Sequence, residues 1–151
     1  MEKGYLGTSA VTQIGIIVKD INQAAQKYAS FLGLPLPAIV ETDGLEKSQA
    51  TFRGKPCPAR AKLAFFKVGQ TLDIELIEPD GQPSVWQEFL DTKGEGVHHI
   101  AFGIKDTAAH TEKLEKLGIP LLQKGEYEGG RYAYFDSTKD LKLMFETLEN
   151  D

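Results

Sequence analysis

Four side chains that can bind a metal ion occupy matching places in two similar stretches of this sequence. Gln13 lies in the stretch TQIGIIVKD, and His99 occupies the same place 86 positions later in HHIAFGIKD. Glu75 in LDIELIE and Glu146 in LMFETLE form a second matching pair, 71 positions apart. An imidazole, two carboxylates and an amide oxygen suit a divalent ion such as zinc, cobalt, nickel or manganese. The repeat therefore predicts one metal site that is built from both copies.

The side-chain alternation of β-strands places these four residues on one face of a sheet. Their apolar neighbours in sequence point to the opposite face, where we expect helices to pack. A buried carboxylate beside apolar side chains is costly unless it is paired or binds a cation, so Glu75 and Glu146 need a shared ion. A single glutamate on a strand more often faces solvent, and a single glutamine more often forms an ordinary hydrogen bond; the matched positions favour the metal site. A regular strand directs His98 away from His99, and we expect a hydrogen-bonding role for it.

The predicted site favours enolate chemistry. A divalent ion that holds two oxygen atoms of a substrate stabilises the enolate formed when the intervening carbon loses a proton. Glu146 is the first candidate for the catalytic base, as a ligand that can detach from the ion. Glu75, or a glutamate of a nearby loop, would then be the acid on the opposite face. Epimerisation at an α-carbon and isomerisation of a hemithioacetal both fit this arrangement.

Two similar sets of secondary-structure elements would position these residues. Each copy begins with a strand and continues with a helix that an aspartate caps and a glycine ends. These residues are Asp20 and Gly33 in the first copy and Asp106 and Gly118 in the second. Further strand-like stretches complete a βαβββ unit in each copy, which predicts an α+β fold.

We expect a single domain over residues 1–151. Its modules span about residues 8–80 and 96–149, and the connector at 81–95 contains a short helix. The first module is longer than the second near residues 42–60, where we expect a loop beside the site.

Composition and charge exclude several classes of protein. The chain has 151 residues, 41 % hydrophobic and 26 % charged, as folded domains have and disordered chains do not. The net charge of −5 argues against nucleic-acid binding. No apolar run approaches the roughly 18 residues that a membrane span needs, and the single Cys57 excludes a disulfide within the chain. We therefore expect a cytoplasmic protein.

Three stretches resemble the vicinal oxygen chelate superfamily of glyoxalases, bleomycin resistance proteins and dioxygenases, and in particular its methylmalonyl-CoA epimerases. They are residues 89–102, which include GEGVHHIAF, residues 74–79 (IELIEP) and residues 129–131 (GGR). The resemblance extends over about residues 11–148. It implies two βαβββ modules that form a cupped mixed sheet, with helices on its outer face, around one divalent metal ion.

The resemblance also implies a ligand set and a reaction. By similarity, Gln13, Glu75, His99 and Glu146 bind the ion, in a metal-dependent epimerase that abstracts an α-proton from an acyl-CoA through a metal-stabilised enolate. A homodimer is a further expectation. Among the basic residues, Arg60 and Arg131 are candidates for binding a substrate carboxylate or coenzyme phosphates, although such residues often only face solvent.

The chain departs from the epimerase pattern at two places. Gln13 stands where the epimerases usually have histidine, and residues 58–60 (PAR) stand where they carry a glutamate base. Glu41 or Glu46 would have to supply that carboxylate from the long loop. Glutamine occurs at the first place in some glyoxalase I enzymes, so a glyoxalase I-like lactoylglutathione lyase is an alternative function.

A metal-free module and a dioxygenase of the same fold fit the sequence less well. A metal-free ligand-binding or drug-resistance module would have lost its metal ligands, whereas all four candidates are present here. An extradiol dioxygenase would need two histidines and one glutamate on iron, and only one of those histidine positions is filled.

Overall fold

The computed structural model describes residues 4–151, which form ten strands and five helices. The strands are β1 (Val11–Ile17), β2 (Val40–Glu41), β3 (Thr51–Phe52), β4 (Lys55–Pro56), β5 (Ala61–Val68), β6 (Leu72–Pro79), β7 (Gly96–Gly103), β8 (Leu121–Tyr127), β9 (Gly130–Phe135) and β10 (Met144–Asn150). The helices are α1 (Ile21–Leu32), α2 (Leu45–Ser48), α3 (Val85–Lys93), α4 (Thr107–Lys116) and α5 (Thr138–Leu141). Within residues 4–151, no helix combines the length and apolar character that crossing a membrane requires.

The ten strands form one mixed sheet whose two halves repeat the same order. Read outward from the centre of the sheet, the first half runs β1-β6-β5-β2 and the second runs β7-β10-β9-β8, with β3 and β4 added beyond β8. Strands β1 and β7 pair antiparallel and join the halves, while β1 is parallel to β6 and β7 is parallel to β10. This order confirms the α+β fold of two βαβββ modules in a cupped mixed sheet. The four central strands, β6-β1-β7-β10, are those that carry the candidate metal ligands.

Helices α1 and α4 cover the outer face of the sheet, as expected. The Asp20 carboxylate accepts a hydrogen bond from the backbone N–H of Gln23 at 3.1 Å, and Gly33 ends α1 with a φ of 68°. Asp106 caps α4 in the same way. Each helix buries an apolar face, α1 through Ile21 and α4 through Leu114, against outward side chains of its half of the sheet. These apolar clusters on the outer face therefore stabilise the sheet that carries the site.

Helix α3 differs from the expectation because it packs against the inner face. Its buried Val85 and Trp86 form a cluster with Ile17, Ile77 and Tyr134, which lie on the inner side of their strands. This helix belongs to the connector between the halves, and it fills one end of the cup. The remaining space inside the cup is the cavity described below.

The segment of residues 42–60 is ordered and bridges the two ends of the sheet. It leaves the edge strand β2, and its strand β3 then pairs antiparallel with β8, so that Thr51 lies opposite Lys124. An edge strand such as β8 presents unpaired backbone groups, and β3 satisfies some of them. The expected loop beside the site is thus a strap that crosses the cup from one half of the sheet to the other.

Candidate metal centre

The sheet brings the four predicted metal ligands together at its centre. Gln13, Glu75, His99 and Glu146 are all buried, with His99 completely enclosed. The His99 Nε2 atom lies 3.1 Å from Gln13 Oε1, 3.4 Å from Glu146 Oε1 and 3.7 Å from Glu75 Oε1. One ligand atom each from Glu75, His99 and Glu146 falls within 4.8 Å of the others. This group could hold a metal ion.

Burial gives the three ionisable residues of the group the electrostatic character of a cation site. Desolvation raises the pKa of Glu75 well above its usual range, and the charges of Glu146 and Asp73 raise it further. Desolvation raises the pKa of Glu146 to about 8, against the opposing effect of a hydrogen bond from Tyr134. Desolvation also lowers the pKa of His99 to about 3, so its imidazole is neutral and keeps a lone pair. A divalent cation would compensate both carboxylates at once, and the donor set fits such an ion.

The Gln13 amide can meet the other three residues in two ways. With its oxygen inward, it faces one nitrogen and two carboxylate oxygens, an arrangement of acceptors that a cation among them would stabilise. With its nitrogen inward, the amide donates to Glu146 at 2.9 Å and to Glu75 at 3.2 Å. The same side chain therefore suits the group both with and without an ion.

Gly15 provides the space that the His99 ring occupies. The two residues are partners across strands β1 and β7, and a Cβ atom on Gly15 would overlap with the imidazole. Strand alternation puts Gly15 on the same face of β1 as Gln13 but does not indicate this contact. A glycine inside a strand often marks such a close approach.

His98 lies directly behind His99, because strand β7 is irregular at this point. Gly15 pairs with His99 while the next residue, Ile16, pairs with Val97, so His98 is an extra residue on β7. The bulge leaves His98 buried on the inner side, where its ring packs against Phe89 of α3. Regular alternation, which predicted the opposite face, does not hold at a bulge.

The bulge places the Nδ1 atoms of His98 and His99 2.9 Å apart. Desolvation and the neighbouring His99 lower the pKa of His98 well below its usual range, so this imidazole is neutral and can accept a hydrogen bond. When His99 donates from Nδ1, its Nε2 lone pair is left facing Gln13 and the carboxylates. The expected hydrogen-bonding role of His98 therefore consists of orienting His99.

A cavity of about 470 Å³ opens above the candidate metal-binding residues Gln13, Glu75, His99 and Glu146, which we call the metal group. Gln13, Glu75 and Glu146 lie at its floor, and its aromatic walls are Phe65, Trp86, Tyr127, Tyr132 and Tyr134. The Tyr134 hydroxyl accepts a hydrogen bond from the Trp86 indole at 3.0 Å. The sequence motifs did not single out these aromatic residues, although the alternation of Tyr132 and Tyr134 in GRYAYF places both on one face of β9.

The outer part of the cavity is lined by carboxylates. These are Glu41 at the end of β2, Asp43 at the start of the strap, Glu126 in β8, and Glu128 in the turn between β8 and β9. Glu41, one of the two loop glutamates considered as a further base, thus reaches the cavity, whereas Glu46 is not among the described residues that line it.

Arg60 and Arg131 lie outside this cavity, since neither is among the described residues that line it. Arg60 donates to the Thr42 carbonyl at 2.8 Å and lies 3.5 Å from the Glu41 carboxylate. Arg131 pairs with three carboxylates, those of Glu126 and Glu149 at 3.3 Å and that of Asp151 at 3.0 Å. Both guanidinium groups already have anionic partners, and their expected role in substrate binding stays a prediction.

Comparison with known proteins gives consistent results. A family model described as the Glyoxalase/Bleomycin resistance protein/Dioxygenase superfamily matches residues 12–135. An ethylmalonyl-CoA/methylmalonyl-CoA epimerase from Cereibacter sphaeroides is 25 % identical over 124 residues, which cover 82 % of this chain and 81 % of the relative. A 2-epi-5-epi-valiolone epimerase from Actinomyces sp is 24 % identical over 148 residues, which cover 93 % of this chain and 80 % of the relative.

A solved structure shares the fold of this chain. The crystal structure of methylmalonyl-CoA epimerase from Mycobacterium tuberculosis superposes with a TM-score of 0.66 at 21 % identity, covering 100 % of this chain and 93 % of that chain. The family match extends from β1 through β9, and the structural match adds β10 with Glu146. This chain belongs to the glyoxalase/bleomycin resistance protein/dioxygenase superfamily.

Proposed function

We propose that this protein is a metal-dependent epimerase that acts on the carbon next to a carbonyl group in a small molecule. The observation that carries the proposal is the buried group of Glu75, His99 and Glu146, with Gln13 beside it, at the floor of a cavity. Two relatives named as epimerases support the reaction class. Zinc, cobalt, nickel and manganese suit the nitrogen and oxygen donors of the group.

The arrangement of the two glutamates suits inversion at a carbon atom. A divalent ion, when bound, would polarise the substrate carbonyl and stabilise the negative charge of an enolate. Glu75 comes from the first half of the sheet and Glu146 from the second, so the two carboxylates approach the floor of the cavity from opposite sides. Glu146 takes the α-proton from one face, and Glu75 returns a proton on the other. Gln13 and His99 would bind the ion and fix its position.

The enclosing walls protect this proton transfer from water. Tyr134 is buried, and burial raises its pKa well above the usual range, so its hydroxyl keeps its proton and remains a hydrogen-bond donor near Glu146. Trp86 holds the Tyr134 hydroxyl from the other side. The tyrosine thus orients the Glu146 carboxylate without competing for the abstracted proton.

Methylmalonyl-CoA is the candidate substrate that the sequence resemblance and the Cereibacter sphaeroides relative indicate. A compound of the kind named for the Actinomyces relative is the second candidate, and the carboxylates that line the outer cavity favour it. The glyoxalase I-like lyase would use the same ligands and the same proton transfer on a hemithioacetal. The presence of all four ligand residues argues against the metal-free binding module.

Deuterium exchange at the α-carbon tests the proposal. The protein, loaded with each candidate ion in turn, would be incubated in heavy water with methylmalonyl-CoA, a ketose or a hemithioacetal, and exchange followed by mass spectrometry. Ion-dependent exchange of methylmalonyl-CoA or the ketose that is lost in Glu146→Gln would support the epimerase, whereas exchange of the hemithioacetal alone would indicate the lyase. A protein that binds one ion per chain but exchanges none of these compounds would overturn the proposal.

A further inference from the structure

The charged side chains that line the cavity are all acidic. They are Glu41, Asp43, Glu75, Glu126, Glu128 and Glu146, and the described lining residues include no lysine or arginine. From this charge distribution we infer that the substrate is an uncharged carbonyl compound with several hydroxyl groups, and not an acyl-CoA whose reacting group carries a carboxylate, such as methylmalonyl-CoA. The inference rests on the proposed epimerase function and names the class of its substrate.

The two inner carboxylates contribute little to the net charge that an approaching substrate encounters. Glu75 and Glu146 belong to the metal group, where a divalent ion would balance their two charges. The substrate must pass the four outer carboxylates before it reaches the ion. We call these four side chains, Glu41, Asp43, Glu126 and Glu128, the outer ring. The charge of the outer ring therefore governs which substrates can approach.

The outer ring keeps a negative charge after its ion pairs are considered. Arg60 lies 3.5 Å from Glu41, with both side chains about half exposed, so this pair is weak. Arg131 lies 3.3 Å from Glu126 but also serves Glu149 and Asp151, and its single charge is outnumbered. Asp43 and Glu128 have no ion-pair partner within 4.0 Å among residues 4–151.

Methylmalonyl-CoA carries a carboxylate on the reacting carbon itself, and this charge would have to pass the ring together with the acyl group. Like charges that face each other in a binding site disfavour binding. The screening length at physiological ionic strength is roughly 8 Å. Charged groups in contact are closer than this, so salt does not remove the repulsion between them. A substrate with a carboxylate or phosphate of its own is disfavoured for the same reason.

The same lining is well suited to hydroxyl groups. Carboxylates accept hydrogen bonds from hydroxyls, and charge-assisted bonds of this kind are stronger than neutral ones. Further donors and acceptors of the lining come from Tyr127, Tyr132, Thr42 and Asn150. The rings of Phe65 and Trp86 offer apolar walls for the C–H faces of a polyol. The volume of about 470 Å³ lies within the range of roughly 300–1,000 Å³ that small-molecule sites have.

The chemical step needs no change for such a substrate. The carboxylate takes the proton from the carbon next to the carbonyl, the electron pair of that C–H bond forms a C=C bond, and the π pair of the carbonyl moves onto its oxygen. A proton then returns to the same carbon, on either face, and the carbonyl is restored. A hydroxyl on the reacting carbon gives the substrate a second oxygen beside the carbonyl oxygen, as the metal group requires.

The test compares two ketoses, one of which carries a phosphate. D-fructose and D-fructose 6-phosphate have the same carbonyl and the same neighbouring hydroxyls, and methylmalonyl-CoA provides the thioester. We would measure deuterium incorporation next to the carbonyl by mass spectrometry with the ion-loaded protein. We expect kcat/KM for fructose to exceed that for its phosphate by at least about tenfold.

Charge variants of the outer ring provide the second part of the test. The double variant Asp43→Asn, Glu128→Gln should reduce this preference, and Asp43→Lys, Glu128→Lys should reverse it. Glu112→Gln serves as the matched control, because Glu112 is an exposed carboxylate on α4 that pairs only with Lys116 among the described residues. That variant should leave the preference unchanged.

The possible outcomes separate this inference from the proposed function. Exchange of methylmalonyl-CoA or of fructose 6-phosphate in preference to fructose would overturn the inference and leave the epimerase intact. A preference that is the same in the wild type and the lysine variant would also overturn it. Exchange of no compound by a protein that binds its ion would overturn both.

Discussion

The Gly15 backbone lies against the imidazole of His99, so closely that a side chain at position 15 would overlap with the ring. The variant Gly15→Ala should therefore displace His99 from the group and weaken metal binding. Residues that orient a metal ligand typically contribute about 10- to 100-fold to affinity, and we expect a loss of that size. Titration calorimetry with zinc or cobalt would measure it.

Gly103 offers a matched control for this substitution. It lies on the same strand as His99, and a Cβ atom there would meet nothing within 4 Å. Gly103→Ala should bind the ion as the wild type does. Equal affinity in Gly15→Ala and Gly103→Ala would show that the His99 ring can move away without cost.

His98 should affect metal affinity through its hydrogen bond to His99. Phenylalanine at position 98 keeps a ring in the space beside Phe89 but removes the Nδ1 acceptor, and we expect it to lower cobalt affinity by about 10- to 100-fold. Asparagine places an acceptor near the original Nδ1 position and should restore much of the affinity. The visible spectrum of the bound cobalt would report whether His99 still coordinates. Equal losses in both variants would mean that packing, and not the hydrogen bond, is the role of His98.

The stability of the ion-free protein should be greatest in mildly acid solution. The pKa of Glu146 is raised from 4.5 to about 8, so its contribution is present below pH 4.5 and is lost as pH rises through 8. The pKa of His99 is lowered from 6.5 to about 3, so its contribution is present above pH 6.5 and is lost as pH falls through 3. Each proton changes the free energy of unfolding by at most about 1.4 kcal/mol per pH unit. Stability should thus fall on both sides of a maximum near pH 4.5–6.5.

Urea unfolding between about pH 4 and 9, with a chelator or with the ion, would check this dependence. The ion holds both carboxylates in their charged form, so the loss of stability in alkaline solution should disappear in the loaded protein. Ion-free and loaded proteins with the same decline at alkaline pH would place the responsible groups elsewhere in the chain.

Glu146→Gln should bind no ion tightly and yet be more stable than the ion-free wild type at about pH 8. The buried carboxylate is costly when it is charged without a cation, and the amide removes that cost. We expect the free energy of unfolding to rise by about 1 kcal/mol or more at this pH. The gain should shrink at about pH 5, where the wild-type carboxyl is protonated.

Thermal unfolding of both proteins in chelator at the two pH values is the measurement. Glu112→Gln, on the exposed face of α4, should stay within roughly 0.5 kcal/mol of the wild type at both. A Glu146→Gln protein that is less stable in the alkaline sample would indicate that the hydrogen bond from Tyr134 outweighs the cost of burying the charge.

The local repeat was enough to predict the fold and to select four residues that the structure brings together. Gln13, Glu75, His99 and Glu146 each lie on a strand, and alternation and the repeat are local properties that a sequence displays directly. The helix caps at Asp20 and Asp106 are local in the same sense, since each aspartate bonds a backbone group three residues away.

Other features depend on residues that are far apart in the chain, and only the tertiary structure decided them. The bulge at His98 arises from pairing with β1, and alternation within β7 could not show it. Arg60 and Arg131 lie outside the cavity and pair with carboxylates, and the strap pairs with a strand of the other half of the sheet. The acidic lining unites residues from β2 and the strap with residues from β8 and the turn after it. Local patterns therefore specified which residues share a strand face, whereas the charge around the substrate depended on which distant segments pack together.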